Sequence, residues 1–93
     1  MNANDREQLR LSLLRFLGDN VSRFGMSAAL LLQMARAEGR ANLTRGHVET
    51  ELLYLEDAGL VVVLDKTISP ENRAWRIHKK GRDYLAEKQS PDE

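Results

Sequence analysis

The chain has 93 residues, 42% of them apolar, and its 14 Lys+Arg balance 14 Asp+Glu, so its formal net charge at neutral pH is zero. That is the length of one domain and an apolar content suited to a folded core, with little room for an enclosed cavity beside it. Charge balance excludes binding to polymers or membrane surfaces by bulk charge alone, and the absence of cysteine excludes disulfides, thiolate metal sites and thiol nucleophiles.

In chain order, a first helix is expected from about Asp5 to Leu17, with Asn4 or Asp5 as its N-cap and Gly18 just past its end. At about 100° per residue, Leu9, Leu13, Phe16 and Leu17 share a stripe fit for a core. Leu14 lies at the edge of that stripe and Leu11 on the far side. A second helix runs from its cap Ser27 to about Glu38, before Gly39, with Leu30, Leu31, Met34 and Ala37 as its buried stripe. A third starts at the N-cap Thr44 and continues through Asp57 to the terminator Gly59, turning Val48, Leu52 and Leu55 inward.

After Gly59 the pattern changes. Leu60-Val61-Val62-Val63-Leu64 is β-branched and too short for a helix, so it reads as a strand. Asp65 to Asn72, containing Ser69-Pro70, carries turn chemistry. From Arg73 to His78 the alternation sets Trp75 and Ile77 on one face and Arg76 on the other, completing an antiparallel hairpin with Trp75 in the core. A short last helix, about Lys79 to Lys88, turns Tyr84 and Leu85 inward, and the polar stretch from Lys88 to Glu93 is expected to fray. The expected fold is α+β, mostly α, as one domain over residues 1–93 with an ordered core over about 5–87. Three helices, a β-hairpin wing and a short C-terminal helix make the layout of a winged helix-turn-helix.

Two segments carry a resemblance. Thr44-Arg45, Val48, Leu52, Leu55-Glu56 and Ala58-Gly59-Leu60-Val61 resemble the passage from recognition helix to first strand in bacterial winged-helix repressors. Ile77-His78-Lys79-Lys80-Gly81-Arg82-Asp83-Tyr84-Leu85 resembles their passage from strand to last helix. Over about residues 6–86 the chain is similar to the short winged-helix proteins of Mu-like phages and prophages, often labelled ArsR-like. The resemblance implies a DNA-binding regulator. His78 stands where those proteins place a capping Thr, which predicts a weaker cap. The metal-sensing role of some members does not carry over, because their Cys/His clusters have no counterpart here.

The charges are sorted along the chain. Residues 36–47 carry a net +2, residues 48–65 a net −5 and residues 66–82 a net +5. DNA binding needs cations near phosphates and a helix tip that reaches base edges. Arg45 at the start of the third helix, with Thr44, His47, Thr50 and Tyr54, supplies candidate readers, and Gly46 permits close backbone approach. Arg36 and Arg40 are placed to hold the neighbouring backbone, and Lys66 and Arg73 flank the wing. Each has a plainer role open to it. Arg45, Lys66, Arg73, Lys79 and Lys80 fit a solvated surface, and Leu53 and Tyr54 fit under a neighbouring element. Glu49, Glu51 and Glu56 flank the buried stripe, which leaves the outward tip free of carboxylates.

Neither catalysis nor a cofactor is expected. His47 and His78 lack metal-ligand spacing, no glycine-rich phosphate loop or serine elbow occurs, and Glu49 and Glu51 diverge by about 200° on a helix. No apolar run exceeds five residues, far below the roughly 20 of a bilayer span, and the residues from Met1 to Asp5 lack the features of a signal peptide. A cytoplasmic protein follows as the expectation. The first reading is a sequence-specific binder of double-stranded DNA, acting as a homodimer through Leu11 and Leu14. The second is an adaptor that binds a protein partner through Leu53, Tyr54 and Leu11, without DNA.

Overall fold

The computed structural model describes residues 2–20, 24–64 and 73–89. Helix α1 (Ala3–Asp19) is capped by Asn2, whose side chain accepts from the Asp5 amide at 2.8 Å, so the helix starts ahead of the expected Asn4 or Asp5 cap. It also runs past Gly18, which is no terminator. A Cβ on Gly18 would lie 3.6 Å from Leu85 and 3.7 Å from Ile77, so the glycine marks where the end of the chain packs against α1. Asn20 closes the helix, donating its amide to the Leu17 carbonyl.

Strand β1 (Met26–Ser27) leads directly into α2 (Ala28–Ala37), and Ser27 caps that helix by accepting from the Leu30 amide. The buried residues of α2 are Ala28, Leu31 and Ala35, at i, i+3 and i+7. The helix is therefore rotated from its expected setting. Leu30 is 43% exposed and Ala37 is exposed, while Met34 is half-buried. Ala28, Leu31 and Ala35 enter the core, and Leu30 stays outside it.

Helix α3 (Arg45–Asp57) begins at Thr44 as expected. The Thr44 hydroxyl accepts from the His47 amide, and His47 Nδ1 accepts from the Thr44 amide at 3.2 Å, a reciprocal cap. Val48, Leu52 and Leu55 are buried as expected, and Glu51 is buried with them. Gly59, at φ 79°, ends the segment in the left-handed region that glycine enters without strain.

Strands β2 (Val61–Val63) and β3 (Ala74–Ile77) pair antiparallel in the register Val61 to Ile77, Val62 to Arg76 and Val63 to Trp75. The short β1, which the sequence does not lead one to expect, pairs with the other edge of β3, Met26 to Trp75, giving the order β1-β3-β2. A Cβ on Gly25 would sit 2.5 Å from the Trp75 carbonyl oxygen, and its φ is +73°, so only glycine allows this approach. Trp75 and Ile77 face the core and Arg76 is exposed. The turn expected over Asp65 to Asn72, with Lys66, lies outside the described residues. Helix α4 (Lys79–Gln89) takes in Lys88 and Gln89, which extends it into the expected polar tail. His78 Nδ1 accepts from the Lys80 amide at 3.0 Å, so a histidine makes the cap that its type made doubtful.

The result is a small α+β structure, mostly helical, with four helices and a three-stranded antiparallel sheet among the described residues. Helix α1 lies at its centre, touching α2, α3, β3 and α4. Being covered on two sides, it buries Leu14 completely along with Leu9, Leu13, Phe16 and Leu17.

Two glycine replacements separate close packing from helix propensity. A Cβ on Gly81 would overlap the Leu60 carbonyl oxygen, whereas at Gly46 the nearest atom is 3.7 Å away. Urea denaturation should show Gly81→Ala destabilised by about 1–3 kcal/mol, as overpacking requires. Gly46→Ala should be neutral to about 1 kcal/mol more stable.

Candidate nucleic-acid interface

The candidate surface is built on α2, α3 and the turn between them. Arg36 donates Nε to the Leu43 carbonyl at 3.0 Å, and Leu43 is itself buried, so the turn is tied at both ends. Glu38, in that turn, takes Arg15 of α1 through both oxygens, at 2.7 and 2.8 Å. Arg15's hydrogen bonds hold the Glu38 carboxyl below its ordinary value, with burial opposing them, and Glu38 in turn raises Arg15. Arg40 lies at 4.0 Å from the same carboxylate, so Glu38 offsets charge from two of the basic groups here.

The tip of α3 is open. Gly46, His47 and Thr50 are exposed, and the Thr44 and His47 side chains are engaged in the cap. Arg45 is half-buried and donates Nε to Glu49 at 2.8 Å, one helical turn on. Its charge is thus partly compensated on the surface where a free cation was expected. Beside the tip, Arg40 and His47 share an open recess of about 390 Å³ with Asp5, Gln8 and Asn42. One carboxylate, Asp5, therefore stands at the rim of the basic α2–α3 turn.

The opposite flank of α3 is fixed to α1. Glu51 is 3% exposed, and it accepts from Arg6 Nε at 2.8 Å and from Arg10 Nε at 2.6 Å. The Arg10 guanidinium lies 3.6 Å from the centroid of the Tyr54 ring. Tyr54, a candidate reader, is half-exposed but has one face covered in this way, which assigns it to the α1–α3 seam. Next to it, Tyr84 donates its hydroxyl to Glu7 at 3.3 Å, and burial, then the Glu7 carboxylate, pushes the phenol above its ordinary value. The tyrosine stays protonated and able to donate.

The remaining candidates are scattered. Arg73 is half-buried at the foot of β3 and its Nε is sealed from solvent without an acceptor among the described residues, so it does not project freely from the wing. Lys66 lies outside the described residues. Leu14 has no surface to offer a second copy, since it is fully buried in its own chain, and Leu11 is half-buried. The structure thus gathers Arg36, Arg40, Thr44, Arg45, His47 and Thr50 on the α2–α3 turn and the start of α3, covers one face of Tyr54 with Arg10, buries Leu14, and leaves Arg73 half-buried beside Glu49. Sequence reasoning missed the burial of Glu51. Its one available signal is Arg6 and Arg10, four residues apart on the polar side of α1.

Among the described residues no three of His, Cys, Asp or Glu gather closely enough to hold a metal ion, and no helix is long and apolar enough to cross a membrane. Comparison with models of known protein families returns no match for this chain, and comparison with curated proteins returns none either.

Removing one member of the trio around the buried Glu51 should be worse than removing two. Arg10→Met leaves Glu51 with the more exposed Arg6 alone and should cost about 1–3 kcal/mol in urea unfolding, the loss typical of a buried polar group left short of a partner. Adding Glu51→Leu should recover part of that loss, because no carboxylate is then left buried.

Proposed function

We propose that the chain is a winged helix-turn-helix module that binds double-stranded DNA, with the tip of α3 in the major groove, and that it serves as a small transcription regulator of bacterial or prophage origin. The observation that carries this reading is the exposed tip itself. Gly46, His47 and Thr50 are exposed in the first turns of α3, beside Arg36, Arg40 and Arg45. The expectation of a carboxylate-free tip does not hold, because the Glu49 side chain is 43% exposed, but it is bonded to Arg45. A helix start of this kind reaches base edges with short side chains while cations on the preceding turn hold phosphates. Exposed Arg36 and half-buried Arg40 supply such cations. A two-fold dimer would double the site, and Leu11 is the remaining candidate for its seam.

The Arg45–Glu49 pair tempers the field at the tip, so affinity rests on few free charges. Duplex binding followed by fluorescence anisotropy should weaken by about 10–50-fold from about 50 to 200 mM salt, as two or three phosphate contacts require. Arg40→Glu and Arg45→Glu should each abolish it at about 100 mM, while Glu49→Gln, which frees Arg45, should strengthen it by about 3–10-fold. Absence of binding at the lowest salt, or indifference to all three substitutions, contradicts the reading.

One observation favours a second reading. Leu53 is 48% exposed in the middle of the outward side of α3, where a reader of base edges has little use for it, and Leu30 is also exposed. A protein partner would cover both. In that case Leu53→Glu removes partner binding and leaves any DNA affinity unchanged.

A further inference from the structure

Contacts within the chain fix what two side chains at the start of α3 can still offer a partner. His47 Nδ1 accepts from the Thr44 amide at 3.2 Å. In a neutral imidazole the accepting nitrogen carries no proton, so the proton sits on Nε2. His47 is exposed, and its Nε2 makes no hydrogen bond among the described residues. It therefore presents a donor and no acceptor.

Arg45 is fixed by a different contact. Glu49 Oε2 takes its Nε at 2.8 Å, and the two terminal nitrogens, Nη1 and Nη2, have no hydrogen-bond partner among the described residues. They form a flat fork of two parallel donors. The same carboxylate offsets the charge, which makes Arg45 a poorer ligand for a phosphate and leaves its directional donors intact. Cations for phosphates stand instead on the preceding turn, at Arg36 and Arg40.

Donors facing a duplex need acceptors, and the base edges of the major groove differ in what they supply. Guanine shows two acceptors, N7 and O6, and no donor. Adenine and cytosine each show an amino donor, and thymine sets one acceptor beside a methyl group. Adenine is read best by an amide side chain, and residues 45–50 include neither Asn nor Gln. We infer, resting on the reading of α3 as a helix in the major groove, that Arg45 and His47 read guanine. Arg45 sets its fork on N7 and O6 of one guanine, and His47 donates Nε2–H to N7 of another. Their partner is thus a duplex site defined by its guanines.

The probe is a duplex randomised over about ten base pairs and selected for binding to the whole chain. Selected duplexes should share a pair of guanines. Each is then replaced in turn by 7-deazaguanine, which has a carbon in place of N7 and still pairs with cytosine. Affinity should fall about 5–20-fold at either position. His47→Asn keeps an oxygen near the place of Nδ1 for the cap but lacks Nε2, so its penalty at one guanine should shrink below about two-fold. Arg45→Lys keeps the charge and loses the fork, so it should flatten the penalty at the other guanine. It also keeps the test valid if His47→Asn fails to fold. A His47 that served the cap alone would weaken every duplex alike and leave both penalties in place, and that result overturns the inference. A selected pool without guanine preference also overturns it, while the DNA-binding reading stands. Failure to select any duplex at about 50 mM salt overturns both.

Discussion

The setting of α3 depends on a carboxylate that has been taken out of water. Glu51 lies in the seam between α1 and α3 and is bonded to Arg6 and Arg10. A buried carboxylate tolerates little displacement, because each lost hydrogen bond leaves charge uncompensated in a medium of low dielectric constant. Hydrophobic contacts among Val48, Leu52 and Leu55 hold α3 against the core, but they would accept small rotations. The Glu51 trio does not. It pins the rotation of α3 about its own axis, and the Arg10 guanidinium over Tyr54 closes the same flank.

That rotation decides what α3 shows to the outside. With Glu51 inward and Tyr54 against Arg10, the face left exposed runs through Gly46, Thr50 and Leu53. The other ties have a related effect. Arg15 on Glu38 holds α1 to the α2–α3 turn, Arg36 on Leu43 tightens that turn, and the sheet packs on α1 through β3. Most arginines of the helical part are thus used in building the fold. Few free cations are then left at the α2–α3 turn, the exposed Arg76, Lys79, Lys80 and Arg82 lying on β3 and α4, so specificity at the helix tip has to come from shape and short side chains.

Much of the fold was legible because its signals are local. Thr44 as a cap, the i, i+4, i+7 spacing of Val48, Leu52 and Leu55, and the alternation of Trp75, Arg76 and Ile77 each determine one element with few competitors. Other features depend on partners distant in sequence. In α2, three successive leucines leave the rotation ambiguous, and the choice is made by Ala28 and Ala35 meeting other helices. Gly18 looks like a stop but is a point of packing against Leu85 and Ile77. Strand β1 is two residues long and has no periodicity of its own; it forms because β3 offers it an edge. The candidate site was legible in the residues of the α2–α3 turn and the helix tip. It was not legible in Arg45, Tyr54 and Arg73, whose sequence positions give no hint of the Glu49 bond, the Arg10 cover or the sealed Nε.

The central claim is that α3, held at one rotation by Glu51, presents its first turns to duplex DNA. Amide NMR mapping during titration with a mixed pool of short duplexes tests it most directly. The account predicts shifts concentrated at Arg40, Gly46, His47 and Thr50, with Arg10 and Tyr54 unmoved. Shifts confined to Leu30 and Leu53, or none at all at low salt, would contradict it.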